Sequence, residues 1–138
     1  MCFPSFFKMD KKYLEERLRE LGIYSDYYHR LELKSLASFL PYDEVVNCIL
    51  TGFWEGSRRM IAITDSRIVI IAAGPMVQTN LTVIKRTAVR GWTFTKKLFL
   101  SSFSIETDEK TFVFSQTQGA REKLFNWAME QPIKEFEE

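Results

Sequence analysis

The sequence predicts an α+β domain that is mainly β: a seven-stranded antiparallel barrel capped by a carboxy-terminal helix and preceded by an amino-terminal helical hairpin. Three observations carry this prediction. Apolar residues recur at helical spacing up to Leu40 and at strand spacing after Pro41. Seven short apolar or alternating runs follow, separated by turn residues. One amphipathic helical stretch closes the chain and is stopped by Pro132. Seven strands with short turns make a sandwich or a small barrel, and a single long closing helix favours a barrel with one end covered. The division is expected at Pro41, with residues 1–41 a helical extension and residues 42–138 the barrel domain with its capping helix.

Each element has its own local reason. Asp10 is placed to cap a first helix that carries Leu14, Leu18 and Leu21 on one face. Gly22 supplies a left-handed stop, and Ile23 the apolar residue that often follows one. A second helix is predicted from Ser25 or Asp26 to about Leu40, with His29, Leu33, Leu36 and Leu40 on one stripe. The strands are predicted over Val45–Phe53, Arg58–Thr64, Arg67–Ala73, Met76–Leu81, Ala88–Phe94, Leu98–Thr107 and Lys110–Ser115. The third is rich in β-branched residues and is expected to be buried on both faces at its centre. In the sixth, Phe99, Phe103 and Ile105 share one parity, and Ser102, Ser104 and Glu106 take the other. The closing helix, about Thr117 to Gln131, carries Ala120, Leu124, Trp127, Ala128 and Gln131 at helical spacing, so Trp127 is expected to be buried against the barrel.

Composition narrows the function. The chain has 138 residues, 46% of them apolar and 12 of them Phe, enough for a core without disulfides or metal. Lys and Arg total 19 against 18 Asp and Glu, so a net charge of +1 gives no global drive toward nucleic acid or anionic lipid. Cys2 and Cys48 make neither a metal pattern nor a disulfide framework, and a reduced cytoplasmic setting fits them. The first residues lack the basic and long apolar regions of a signal peptide, and the longest apolar stretch, Ile68–Ala73, is too short to span a bilayer. His29, the only histidine, falls on the helical stripe with Leu33 and reads as a packing or surface residue, and no Ser-His-Asp, Cys-His or zinc-ligand set is assembled from the sequence. The glycines are scattered and build no phosphate loop. The expectation is a protein that is not an enzyme and holds no cofactor or metal.

The run Met60-Ile61-Ala62-Ile63-Thr64-Asp65-Ser66-Arg67-Ile68-Val69-Ile70-Ile71 is two apolar strands around a polar Thr-Asp-x-Arg turn. Before it stands Pro41-Tyr42-Asp43-Glu44; after it come the Val83-Ile84 step and the helix bearing Trp127. From Leu36 to Met129 the chain thereby resembles the bacterial pleckstrin-homology-like (PH-like) families, which carry such a hairpin at this place. The resemblance implies the PH-like fold, which serves many binding functions. In the turn itself, Asp and Ser groups that bond nearby amides set the bend, so Asp65 and Arg67 read as structural.

Two basic groups are candidates for ligand binding. Arg58 and Arg59 follow the first turn; in inositol-phosphate-binding PH domains, which this chain resembles in fold, basic residues there cradle the phosphates. Here no Lys precedes the pair on the first strand, Ile61 takes a place where another base would help, and Glu55, Asp108 and Glu109 share the same mouth. Membrane contact is therefore expected to be weak at most. The second group is Lys85, Arg86, Arg90, Lys96 and Lys97, uninterrupted by acid and interleaved with Trp92 and Phe94. This pattern suits single-stranded nucleic acid or a membrane surface, but a solvated hairpin with Lys96 and Lys97 at its tip is the simpler reading, and no nucleic-acid partner is expected. The candidate ligand residues are thus Arg58, Arg59, Lys96 and Lys97.

Phe3, Phe6, Phe7, Tyr27 and Tyr28 are candidate interface residues, since surplus aromatic surface marks an interface. The function expected is protein binding or self-association through the amino-terminal segment, with a protein partner or homo-oligomer as outcome. The alternative is that the two helices fold back onto their own barrel.

Overall fold

A computed structural model describes residues 9–27, 30–72 and 80–134. Asp10 caps α1 (Lys11–Glu20), its carboxylate accepting from the Lys12 amide. Gly22, at φ 77°, ends that helix as expected: the Ile23 amide donates back to the Leu18 carbonyl at 2.9 Å, and the Ile23 side chain is buried behind it. The one long second helix is instead two pieces, α2 (Tyr24–Tyr27) and α3 (Leu31–Phe39), with Arg30 in extended backbone as the N-cap of α3. The break lets Tyr27 turn into the core, where its hydroxyl accepts from Arg121 Nε at 3.1 Å.

Seven strands follow: β1 (Val46–Trp54), β2 (Ser57–Thr64), β3 (Arg67–Ala72), β4 (Asn80–Lys85), β5 (Val89–Thr95), β6 (Ser101–Thr107) and β7 (Thr111–Thr117). All neighbours are antiparallel, in the order β4-β3-β2-β1-β7-β6-β5. The fourth strand runs past its predicted end at Leu81 as far as Lys85. Leu81 to Ile84 pair with the apolar centre of β3, Ile68–Ile71, Val83 opposite Val69 and Ile84 opposite Ile68. Residues 76–79 of the predicted element lie outside the described residues.

The expected barrel is not closed. Among the described residues no ladder joins β4 to β5; the chain turns a corner there through one 3-10 turn, Arg86–Ala88. The sheet folds over at its other corner, where Phe53 of β1 pairs with Ser115 of β7. Gly52 makes that approach possible: a Cβ there would stand 3.1 Å from the Phe114 Cβ and 3.2 Å from the Ser115 carbonyl oxygen.

The β1–β3 part of the sheet is buried on both faces. Outside, α1 to α3 lie over β1–β3, and Leu14, Leu18, Leu33, Leu36 and Leu40 form one cluster with Ile49, Met60, Ala62, Val69 and Ile71. A bulge at Asn47 turns both Val46 and Ile49 toward the helices, although their spacing would put them on opposite faces of a regular strand. Arg17 of α1 holds the bulge, donating to the Val46 carbonyl at 2.8 Å and to Asn47 Oδ1 at 3.0 Å.

This packing accounts for the apolar stripe of the amino-terminal helices. Their leucine stripe meets their own sheet, and Tyr27, a candidate interface residue, is buried within the chain. Phe3, Phe6, Phe7 and Tyr28 lie outside the described residues. Deleting residues 1–24 should therefore not release a folded monomer. It removes Leu14, Leu18 and Ile23 from the core and uncovers the outer face of β1–β3. The truncated chain is expected to be aggregation-prone and to lack a cooperative melt; a sharp melt with a native-like spectrum would contradict this packing.

Inside, the last helix, α4 (Glu122–Glu130), lies on the inner face. Phe125, Ala128 and Met129 make its buried face, and the Phe125 ring sits 5.0 Å from Phe103 and 5.6 Å from Phe94. Trp127 is not the buried residue: it is 42% exposed. It stands two residues from Phe125, about 200° round a helix of 3.6 residues per turn. Arg86 ends α4 from the corner turn, donating to the carbonyls of Met129 at 2.7 Å and Gln131 at 3.0 Å.

Candidate functional site

The Thr64-Asp65-Ser66-Arg67 turn proves to be one half of a buried polar joint. Its other half is Glu44, which follows Pro41. Arg67 Nε and Nη2 donate to the two Glu44 carboxylate oxygens at 3.0 and 2.8 Å, and the Thr64 hydroxyl donates to the same carboxylate at 2.5 Å. Thr64 Oγ1 also accepts from the amides of Ser66 and Arg67, and Asp65 Oδ1 accepts from the Val45 amide. The Arg67 guanidinium further lies over the Phe39 ring. Each side chain of the joint is used in tying the β2–β3 turn to the segment that enters β1, so its role is architectural.

At the opposite end of those strands, Glu55 and Gly56 form the tight β1–β2 turn, both at positive φ. Arg58 and Arg59 follow it, and the structure does not bring them together. Successive strand residues point to opposite faces. Arg58 shares the outer face with Met60, approaches Thr51 Oγ1 at 3.4 Å and lies over Phe53. Arg59 shares the inner face with Ile61 and is buried, its guanidinium 5.2 Å from the Trp54 ring. Lys110 approaches the same indole at 5.2 Å. The mouth can thus offer Arg59 and Lys110 to an anion, but not the pair expected, and Glu55, Asp108 and Glu109 are exposed at its turns.

The second basic stretch comes apart in the same way. Arg86 is buried as the α4 stop described above; burial lowers its pKa, and the nearby Asp65 carboxylate opposes that shift. Arg90 forms a two-pronged pair with Asp108, at 2.9 and 2.7 Å, which holds the Asp108 carboxyl below its usual pKa. Lys85 is exposed beside a cleft of about 250 Å³ at the open seam, which Asp108 and Glu109 also line. Lys96 and Lys97 remain, exposed in the loop between β5 and β6.

That loop carries the residues that sequence reasoning placed wrongly. The sixth strand starts at Ser101, not Leu98, so Phe99 does not join Phe103 and Ile105 in the core. Leu98 is 89%, Phe99 87% and Leu100 57% exposed. The sequence signal was the run Lys96-Lys97-Leu98-Phe99-Leu100 itself: its last three residues are all apolar and cannot all face one side of a strand.

A second exposed apolar group lies at the end strand β4. Leu81 and Val83 lie opposite Ile71 and Val69 and so share the outer face of the sheet, beyond the cover of the helices. Beside them runs an open groove of about 440 Å³ lined by Lys34, Ser35, Ser38, Phe39 and Leu81.

A family model described as a bacterial PH domain matches residues 40–126, more than half of the chain. The chain belongs to that family. A search of the curated proteins returns no match. The fold found here, one antiparallel sheet of seven strands with a helix after the last, is consistent with a PH-like fold. PH domains are as a rule interaction modules without catalytic activity. In this bacterial PH domain no group of three His, Cys, Asp or Glu side chains among the described residues is placed to hold a metal. No described helix is long and apolar enough to cross a membrane. Cys48 is fully buried, and burial pushes its thiol pKa up, so it is a packing residue in the inner core.

Proposed function

We propose that this bacterial PH domain is a non-catalytic, cytoplasmic protein-binding module, and that its first partner is a second copy of itself, joined along β4. The observation that carries this reading is the apolar pair Leu81 and Val83, 39% and 41% exposed, on a strand whose outer edge pairs with no other described strand. An unpaired strand edge is a template for another strand, and apolar residues beside it favour its use. Two β4 strands pairing antiparallel across a two-fold axis would continue the sheet and cover each other's Leu81 and Val83. The other end strand, β5, is a poorer candidate: although Trp92 is exposed on it, so are the polar Arg90, Thr93 and Thr95, and Gly91 lies among them.

Light scattering across a concentration series tests this. The full chain is expected to be a dimer at micromolar concentration, and Val83→Lys a monomer with an unchanged melting curve. A full chain that stays monomeric at high concentration, or a Val83→Lys variant that still dimerises, would refute the β4 interface.

A further inference from the structure

We propose that the β5–β6 tip is a membrane-inserting element, with Leu98, Phe99 and Leu100 entering the interface of an anionic bilayer and Lys96 and Lys97 lying among its headgroups. The site is independent of the β4 edge.

The first ground is exposure. The other large apolar side chains exposed among the described residues are between 36% and 56% exposed, so each still leans on its own chain. Leu98 and Phe99 do not, and Leu100 adjoins them. Three consecutive large apolar residues in water carry a free-energy cost that an apolar phase would remove. They sit at the end of a hairpin, a convex point. A fluid interface accepts such a point without a shaped pocket, and binding of this kind scales with the apolar area buried plus attraction to anionic lipid.

The second ground is charge. Of the bases between Asp65 and Glu106, Arg67, Arg86 and Arg90 are held by internal partners, and Lys85 is exposed at the open seam. Lys96 and Lys97 are exposed immediately before the apolar triplet, where long basic stems suit the headgroup layer. The same lysines oppose the use of the tip for self-association, since two tips in contact would bring four ammonium groups together.

The third ground is a fixed base. The Lys97 amide donates to Ser101 Oγ at 3.0 Å. The loop is seated against the turn after β7: a Cβ on Gly119 would stand 3.0 Å from Ser101 Oγ and 3.3 Å from Lys96 Cγ. The length of β6 separates this tip from the Asp108–Lys110 turn and the Arg59 mouth, so the two surfaces are distinct.

Flotation of the full chain with vesicles tests the proposal, using phosphatidylcholine alone and phosphatidylcholine mixed with phosphatidylglycerol. The wild type is expected to float with the anionic vesicles, more strongly at low salt. Replacing Leu98, Phe99 and Leu100 together by Ser should reduce binding about ten-fold or more with little movement of the melting curve, because Leu98 and Phe99 are almost wholly exposed and Leu100 is more than half exposed. Lys96→Gln with Lys97→Gln should weaken binding and flatten its salt dependence. A Phe99→Cys variant on a Cys2→Ser background, labelled with an environment-sensitive dye, should shift to the blue on binding and be quenched by nitroxide lipids; a dye at Glu109→Cys should do neither. Absence of wild-type flotation at low salt would overturn the proposal. So would undiminished flotation of the triple Ser variant, which would move the attraction elsewhere, or a dye at position 99 that stays in water. A tip whose substitution abolishes dimerisation, in a protein that ignores vesicles, would belong to a protein interface and would equally refute insertion.

Discussion

Phe125→Ala is expected to lower the unfolding free energy by about 3–5 kcal/mol, while Trp127→Ala costs about 1 kcal/mol or less. Phe125 is fully buried between Phe94 and Phe103, so truncation removes its transfer free energy and leaves a cavity in a rigid aromatic cluster. Trp127, larger and more conspicuous in the sequence, is 42% exposed and leaves no such void. A domain of this size has roughly 5–15 kcal/mol in total, so the Phe125 variant should be visibly destabilised at 25 °C and the Trp127 variant should not. Urea unfolding with unchanged m-values measures both. Equal losses would mean that α4 is rotated from the orientation described.

Glu44→Ala is expected to cost a similar amount, about 3–5 kcal/mol, the usual loss when one partner of a buried pair is removed. The Glu44 side chain is 2% exposed and that of Arg67 13%, so the guanidinium cannot simply rehydrate once its carboxylate is gone. The Thr64 hydroxyl loses its shorter acceptor as well and keeps the Arg67 carbonyl at 3.1 Å. Replacing both ends together, Glu44→Leu with Arg67→Met, should recover most of the loss, since well-packed apolar substitutes avoid the desolvation penalty that the ions carry. A double-mutant cycle reads the coupling. Additive losses would show that the two side chains act separately and that the joint is not a unit.

Much of this architecture was legible locally. Asp10, Gly22 and Ile23 act within a few residues of themselves, and each performs the role its chemistry predicts. Phe112 and Phe114 alternate with Thr111 and Val113 and point inward as period two requires. Even the fate of the amino-terminal helices had a signal. Ile61-Ala62-Ile63 and Ile68-Val69-Ile70-Ile71 are unbroken apolar runs, and such strands need a cover on both faces. One cover is the inner core, and the helices supply the other.

The misplacements came where one pattern fitted two registers. Trp127 lies three residues from Leu124 and Phe125 three residues from Ala128, so each fits a helical stripe, and only the position of Phe103 and Phe94 across the core selects Phe125. Phe99 has the parity of Phe103, but parity holds only while the strand continues, and β6 begins two residues later. Arg58 and Arg59 are adjacent in the chain, which made them look like one site; the pleat puts them on opposite faces.

By itself, then, the amino-acid sequence determined the elements whose causes lie within a few residues: helix caps, turn glycines, strand periodicity and the PH-like hairpin with its Thr-Asp-x-Arg turn. The tertiary structure alone decided which charges are committed and which surfaces are left over. Glu44 meets Arg67 across 23 positions, Arg86 meets the end of α4 across 43, and Arg90 meets Asp108 across 18. Charge counted along the chain cannot reveal such cancellations, because ion pairing depends on distance in space and not on order in sequence. After those pairings, Lys96, Lys97 and the apolar triplet beside them stand exposed at the β5–β6 tip, a surface created by what the rest of the fold has already used.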